Sequence, residues 1–134
     1  MKPSAITLLV DDEKTVLDAL RQQIPSLIGA HVECETAEDA DEAWEVLEEL
    51  MEQDESMVIL IVSDWLMPRT KGDELLKRVR EHYPSIYRVM LTGQADETVI
   101  ERLRKDGLVD RLLFKPWDAE SLREALSSAM ERDS

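Results

Sequence analysis

Cysteine is almost absent from this chain of 134 residues: Cys34 stands alone, so no internal disulfide can form. Long apolar runs are missing too. No stretch approaches the ~20 residues needed to span a bilayer, and the start, MKPSAITLLVDDE, meets Asp11 too soon to resemble a signal peptide. A soluble, cytoplasmic protein is expected. The first apolar run is followed by Asp11, Asp12 and Glu13 rather than a glycine-rich loop, which argues against a nucleotide or flavin binder. Positive charge is missing from residues 22–68, which contain no Lys or Arg. Twelve acidic residues fall within 33–55 while the net charge of the whole chain is −14, so the remainder is nearly balanced. Such a face repels phosphate backbones and anionic headgroups, so neither nucleic acid nor a membrane is an expected partner. It reads as a solvated helix face, with a cationic partner surface as the alternative.

What is present is enough for one folded domain over residues 1–134, with 43% hydrophobic residues. Five short apolar runs alternate with five helical patterns, the signature of βαβ units and a parallel sheet. Residues 5–10 and 58–62 are continuously apolar, as central strands covered on both faces should be. Residues 31–35 alternate instead, with Val32 and Cys34 on one side, which suits an edge. A strand order of 2-1-3-4-5 follows. The first helix is expected from about Glu13 to near Pro25, with Val16, Leu20 and Ile24 inward. The second carries Ala40, Ala43, Trp44, Leu47, Leu50 and Met51 at helical spacing, and Thr36 with Asp39 offers an approximate capping box. A third helix follows Gly72 and buries Leu75, Leu76 and Val79; a fourth carries Val99, Ile100 and Leu103 and ends by Gly107. The fifth presents Leu122, Ala125, Leu126, Ala129 and Met130, and no second domain is expected after it. Trp44 reads as core, Trp65 and Trp117 as near the site mouth, and His31 and His82 as structural.

Four of the strands run straight into polar residues: LLVDD into Asp11 and Asp12, ILIVSD into Asp64, VMLT into Thr92, and LLFK into Lys115. In an open parallel sheet, ligands bind outside the carboxyl ends of the strands, so these residues should converge. Three carboxylates in one crevice repel unless a cation compensates. Hard oxygen ligands without His or Cys select Mg2+ (magnesium), which binds one or two protein carboxylates plus a phosphate and keeps several waters. Lys115 and Thr92 would then neutralise and hydrogen-bond the oxygens of a phosphoryl group. Asp64, alone at the end of a central strand, is the expected nucleophile, with Asp11 and Asp12 as the metal-binding pair; either of the latter could also cap the first helix.

These residues also resemble, over nearly the whole chain, the receiver domains of bacterial two-component response regulators. LLVDDE, SDWLMP followed by KGDELL, VMLTGQAD and FKPWD are similar to the family's four signature blocks, in order. The resemblance implies an α/β, flavodoxin-like, doubly wound five-stranded parallel sheet with five helices. It implies Asp64 as phosphoacceptor, with Mg2+ held directly by Asp12, largely through water by Asp11, and further by the backbone carbonyl of Leu66. Thr92 and Lys115 match the phosphoryl-sensing hydroxyl and phosphoryl-binding lysine, and the Lys115–Pro116 bond is similar to one usually cis in the family. The implied partners are a histidine kinase or phosphotransfer protein and a downstream effector. One departure stands out: the family's inward-turning aromatic, three residues before the lysine, is replaced by Leu112. Signalling is therefore expected through backbone and fourth-helix shifts across 94–115. Leu66 and Gln94 match positions flanking the path of hydrolytic water. Leu66 cannot orient water and Gln94 can, so a moderately long-lived phosphoryl group is expected, shortened in Leu66→Asn.

The expected function is a phosphoacceptor switch that assists its own phosphorylation and dephosphorylation without being an enzyme on an external metabolite. Two other readings remain. One is a receiver-like interaction module that is never phosphorylated. The other is a Mg2+-dependent aspartyl-phosphate phosphohydrolase, which would need an acid two residues after the nucleophile, where this chain has Leu66.

Overall fold

Three strands of this chain are buried along their whole length: β1 (Ala5–Val10), β3 (Val58–Asp64) and β4 (Tyr87–Thr92). They form the middle of one parallel sheet, with β2 (Val32–Ala37) and β5 (Arg111–Phe114) at its edges, in the order β2-β1-β3-β4-β5. The computed structural model describes residues 5–29, 31–54, 57–65, 72–93 and 97–133. Strands alternate in sequence with α1 (Lys14–Ile28), α2 (Ala40–Gln53), α3 (Gly72–His82), α4 (Glu97–Lys105) and α5 (Ala119–Asp133). The expected doubly wound, flavodoxin-like α/β architecture is what the chain adopts.

The sheet divides two apolar cores. Ile6, Leu8 and Val10 of β1 join Trp44, Leu47, Leu76, Val79 and Leu103 of α2, α3 and α4 on one face. Leu9 joins Leu17, Leu20, Ile24, Leu122 and Leu126 of α1 and α5 on the other. Alternate residues thus serve opposite cores, as the pleat requires. The register of β1 against β3 shifts between Ile6 and Thr7, so that Val58 lies on one side and both Ile59 and Leu60 on the other.

Several local expectations need correction. α1 runs through Pro25 to Ile28, where a stop near Pro25 was expected. Proline removes one N–H, yet Gly29 N–H donates to Pro25 O at 2.8 Å and closes the last turn, while Leu27 and Ile28 pack against the core. On the same helix Val16 packs partly buried against the core as expected, and Leu17 joins Leu20 and Ile24 as a buried residue. Thr36 does not cap α2: it lies within β2, opposite Leu9. Asp39 is the cap, accepting from Glu42 N–H at 2.8 Å.

Trp44 is buried as expected, under the Arg78 guanidinium at 4.0 Å from its ring centroid and with the His82 ring edge-on. Arg88 of β4 is also buried, which a charge tolerates only when its donors are satisfied. Its side chain donates to the carbonyls of Leu108 (2.9 Å) and Ile86 (3.2 Å), and its backbone N–H donates to Asp110 Oδ2 (2.8 Å). These bonds fasten the amino end of β4 to the segment joining α4 and β5. Arg80 adds a bond to Asp106 O at 2.6 Å.

Candidate functional site

The carboxyl ends of β1, β3, β4 and β5 come together as strand order demands. Asp11 follows β1, Asp64 closes β3, Thr92 closes β4, and Lys115 follows β5. Backbone bonds tie these ends together: Trp65 N–H donates to Leu91 O at 3.0 Å and Lys115 N–H to Thr92 O at 2.8 Å.

Lys115 is the centre of the charge arrangement. Its Nζ lies 3.0 Å from Asp11 Oδ2 and 3.2 Å from Asp64 Oδ1, so one ammonium faces two carboxylates. Its stem passes Gly93, where Lys115 Cβ and Cδ would stand 3.9 Å from an added Cβ. Asp11 Oδ1 accepts the backbone N–H of Glu13 at 2.8 Å, which fixes the turn into α1. The helix cap itself is Glu13, whose side chain makes no capping bond, so neither Asp11 nor Asp12 takes the capping role.

Asp11 and Asp64 are almost fully enclosed, at 1% and 5% exposure, whereas Asp12 is open to solvent. Burial pushes the Asp64 carboxyl up to about 6, with the neighbouring Asp11 charge adding to the rise and Lys115 opposing it. Asp11 is also raised, first by burial, against the Glu13 N–H and Lys115, which favour its charged form. Burial pulls the Lys115 ammonium down, but its hydrogen bond to Asp11 and the charges of Asp64 and Asp11 outweigh this and leave it above the ordinary lysine value. One cation therefore does not balance the crevice.

That imbalance suits a hard divalent ion. One oxygen from each of Asp11, Asp12 and Asp64 lies within 4.8 Å of the others, and all three are carboxylates. The donor set fits Mg2+. The expected carbonyl ligand Leu66, and Gln94 on the water path, lie outside the described residues.

Two supporting residues were not singled out for these roles from sequence. Gly72 opens α3, and its N–H donates to Trp65 O at 2.9 Å; a Cβ there would come within 2.1 Å of Asp64 O. The helix can approach the Asp64 backbone only without a side chain. Its place at a helix start was readable, its closeness to Asp64 was not. Trp117, expected near the site mouth, is half-buried and donates its indole N–H to Gln23 Oε1 of α1 at 2.7 Å. Leu112, in place of an aromatic, packs half-buried against the core of α2, α3 and α4.

The chain is similar to known proteins in sequence and in fold. The response regulator receiver domain family matches residues 7–127. The chain is 30% identical over 125 residues to a chemotaxis protein CheY homolog of Campylobacter jejuni, covering 92% of this chain and 90% of that protein. It is 34% identical over 128 residues to the hydrogenase transcriptional regulatory protein HoxA of Cupriavidus necator, covering 95% of this chain but 24% of that longer protein. Among solved structures, the signal receiver domain of an HD domain-containing protein from Pseudomonas fluorescens Pf-5 superposes with a TM-score of 0.83 at 31% identity, covering 99% of this chain and 91% of that one. Sheet order, the acidic cluster facing Lys115 and these likenesses lead to one assignment: the chain belongs to the response regulator receiver domain family of two-component systems.

Proposed function

We propose that this domain is a Mg2+-dependent phosphoacceptor, with Asp64 as the residue modified. The observation that carries the reading is the Lys115 ammonium within 3.2 Å of a buried Asp64 whose carboxyl is still pushed up to about 6. The negative charge there exceeds what its protein partner neutralises, and a divalent ion would supply the missing charge compensation for both the carboxylates and an incoming phosphoryl group. Asp11 and Asp12 would hold it, with Asp64 and the Leu66 carbonyl as further ligands.

Asp64 attacks phosphorus through a carboxylate oxygen. The new O–P bond forms as the P–N bond of a donor phosphohistidine breaks, and the electron pair goes to the imidazole nitrogen. Lys115 neutralises the transferred group's oxygens, and Thr92, at the end of the adjacent strand, offers a hydroxyl to them. Above a pH of about 6 the Asp64 carboxylate is the main species, so the nucleophile is available at neutral pH.

Receiver domains interact with histidine kinases and downstream effectors. For this chain we infer a histidine kinase or phosphotransfer protein as donor, and an effector whose affinity depends on the phosphoryl group. No turnover of an external metabolite is inferred. Among the described residues, no helix is long and apolar enough to cross a membrane.

Titrating Mg2+ and then beryllofluoride while following tryptophan fluorescence tests the reading. Trp65, next to Asp64, should respond to both in the parent, and the beryllofluoride response should vanish in Asp64→Asn. A parent that responds to neither favours an interaction module that is never phosphorylated.

A further inference from the structure

α1 touches the site twice. Immediately before it stand Asp11 and Asp12, and from its third turn Gln23 reaches across to Trp117, two residues beyond Lys115. The short segment from β5 to α5 carries Lys115 and is held at three points. Lys115 N–H is bound to Thr92 O at 2.8 Å. The Trp117 indole is bound to Gln23 Oε1 at 2.7 Å. Asp118 caps α5 by accepting Ser121 N–H at 2.7 Å. Only the second of these joins the segment to α1.

An indole N–H is a donor without acceptor capacity, and a half-buried one needs a fixed acceptor. Gln23 Oε1 supplies it, while the ring packs against the core shared by α1 and α5. The bond links residues 94 apart in sequence and ties the lysine-bearing segment to α1, the helix that Asp11 precedes. Lysine has a flexible four-carbon stem, so a fixed backbone narrows the positions its ammonium can take, here 3.0 and 3.2 Å from two carboxylates.

We propose that Gln23 and Trp117 are positioning residues for Lys115, acting through their hydrogen bond. The inference rests on the phosphoacceptor reading of Asp64. Its ligand is the phosphoryl group; Asp11 is held on its own element by the Glu13 N–H at 2.8 Å, apart from Trp117. The bond's loss should therefore weaken phosphoryl binding and spare the metal.

The test compares Gln23→Leu, Gln23→Glu and Trp117→Phe with the parent, measuring Mg2+ affinity and then beryllofluoride affinity at saturating Mg2+. Gln23→Leu keeps bulk and removes the acceptor; Gln23→Glu keeps an acceptor for the indole proton. Gln23→Leu and Trp117→Phe should each weaken beryllofluoride binding about 3- to 10-fold and change Mg2+ affinity less than about twofold. The double variant should be no worse than either single one, as expected for two halves of one contact. Gln23→Glu should restore beryllofluoride binding to within about twofold of the parent. Beryllofluoride affinity unchanged in Gln23→Leu, a parallel fall in both affinities, or no rescue by Gln23→Glu would each overturn the inference and leave the phosphoacceptor reading standing. A parent that binds neither probe removes both.

Discussion

Two acidic regions of this molecule differ in almost everything except charge. Along α2, Asp41, Glu42, Glu45, Glu48, Glu49 and Glu52 are all exposed, with water as their neighbour. At the carboxyl end of the sheet, Asp11 and Asp64 are buried, and a single ammonium is shared between them. The larger group carries more charge; the smaller one is the candidate for chemistry. Water screens the first, so each carboxylate there costs little and does little. In the second, burial removes that screening, and the energy of holding the charge becomes available to whatever cation or phosphoryl group relieves it.

Neutralising the buried group should have the largest effect. Asp64→Asn is expected to abolish phosphoryl uptake from acetyl phosphate, read by intact-protein mass, and also to make the fold more stable. The sign follows from linkage: a carboxyl raised from 3.8 to about 6 binds its proton more tightly when folded, so it costs stability as pH rises from about 4 through 6. At neutral pH that cost is about 3 kcal/mol. Denaturant unfolding at pH 7 should show Asp64→Asn more stable than the parent, with the gap closing toward pH 4. A gap independent of pH would mean the buried charge is not its origin.

Removing the shared cation comes next. Lys115→Met should leave Mg2+ binding intact or stronger, because a competing positive charge is gone, while acetyl phosphate uptake slows about 100-fold or more. If Mg2+ affinity falls instead, Lys115 organises the acids rather than competing with a metal for them.

Geometry can be broken without touching charge. Gly72→Ala forces a methyl against Asp64 O, which the backbone must relieve by shifting; overpacking of this kind costs about 1–3 kcal/mol. Both stability and beryllofluoride affinity should drop. Gly93→Ala is the matched control, since its methyl would meet Lys115 only at an ordinary 3.9 Å. Equal losses in the two variants would deny Gly72 its special place.

The smallest change should come from the larger acidic region. Glu48 and Glu52 are like charges one helical turn apart, a pairing that destabilises by a few tenths of a kcal/mol. Glu48→Gln with Glu52→Gln should raise stability by about that amount at low salt, with no gain in high salt and no change in Mg2+ affinity. A loss of Mg2+ affinity would join the two regions functionally and end the contrast.

The parts of this design that sequence revealed are those governed by local pattern. Largely apolar runs marked β1 and β3 as central strands, and the polar residues after four runs marked the candidate site, because strand direction alone carries Asp11, Asp64, Thr92 and Lys115 to one edge. The parts it hid depend on distant neighbours. Pro25 argued for a helix end, yet core contacts by Leu27 and Ile28 accompany one more turn. Thr36 was as good a cap by type as Asp39, and pairing with Leu9 put it in a strand. Gln23 and Trp117 carried no shared signal at all, since the fold alone brings them within 2.7 Å.

The buried guanidinium of Arg88 has a mechanical consequence. By donating to Leu108 O, with the Arg88 backbone N–H on Asp110 Oδ2 and Arg80 on Asp106 O, it pins the carboxyl end of α4, the end farther from Thr92. A helix of nine residues is about 13 Å long, and one clamped at its far end moves as a lever, with displacement growing toward the free end. Any tilt of α4 would therefore be largest at its amino end and smallest at the Arg88 pivot. With Leu112, and no aromatic ring, on the neighbouring strand, such a pivot would turn a small shift at the end of β4 into a change of helix angle.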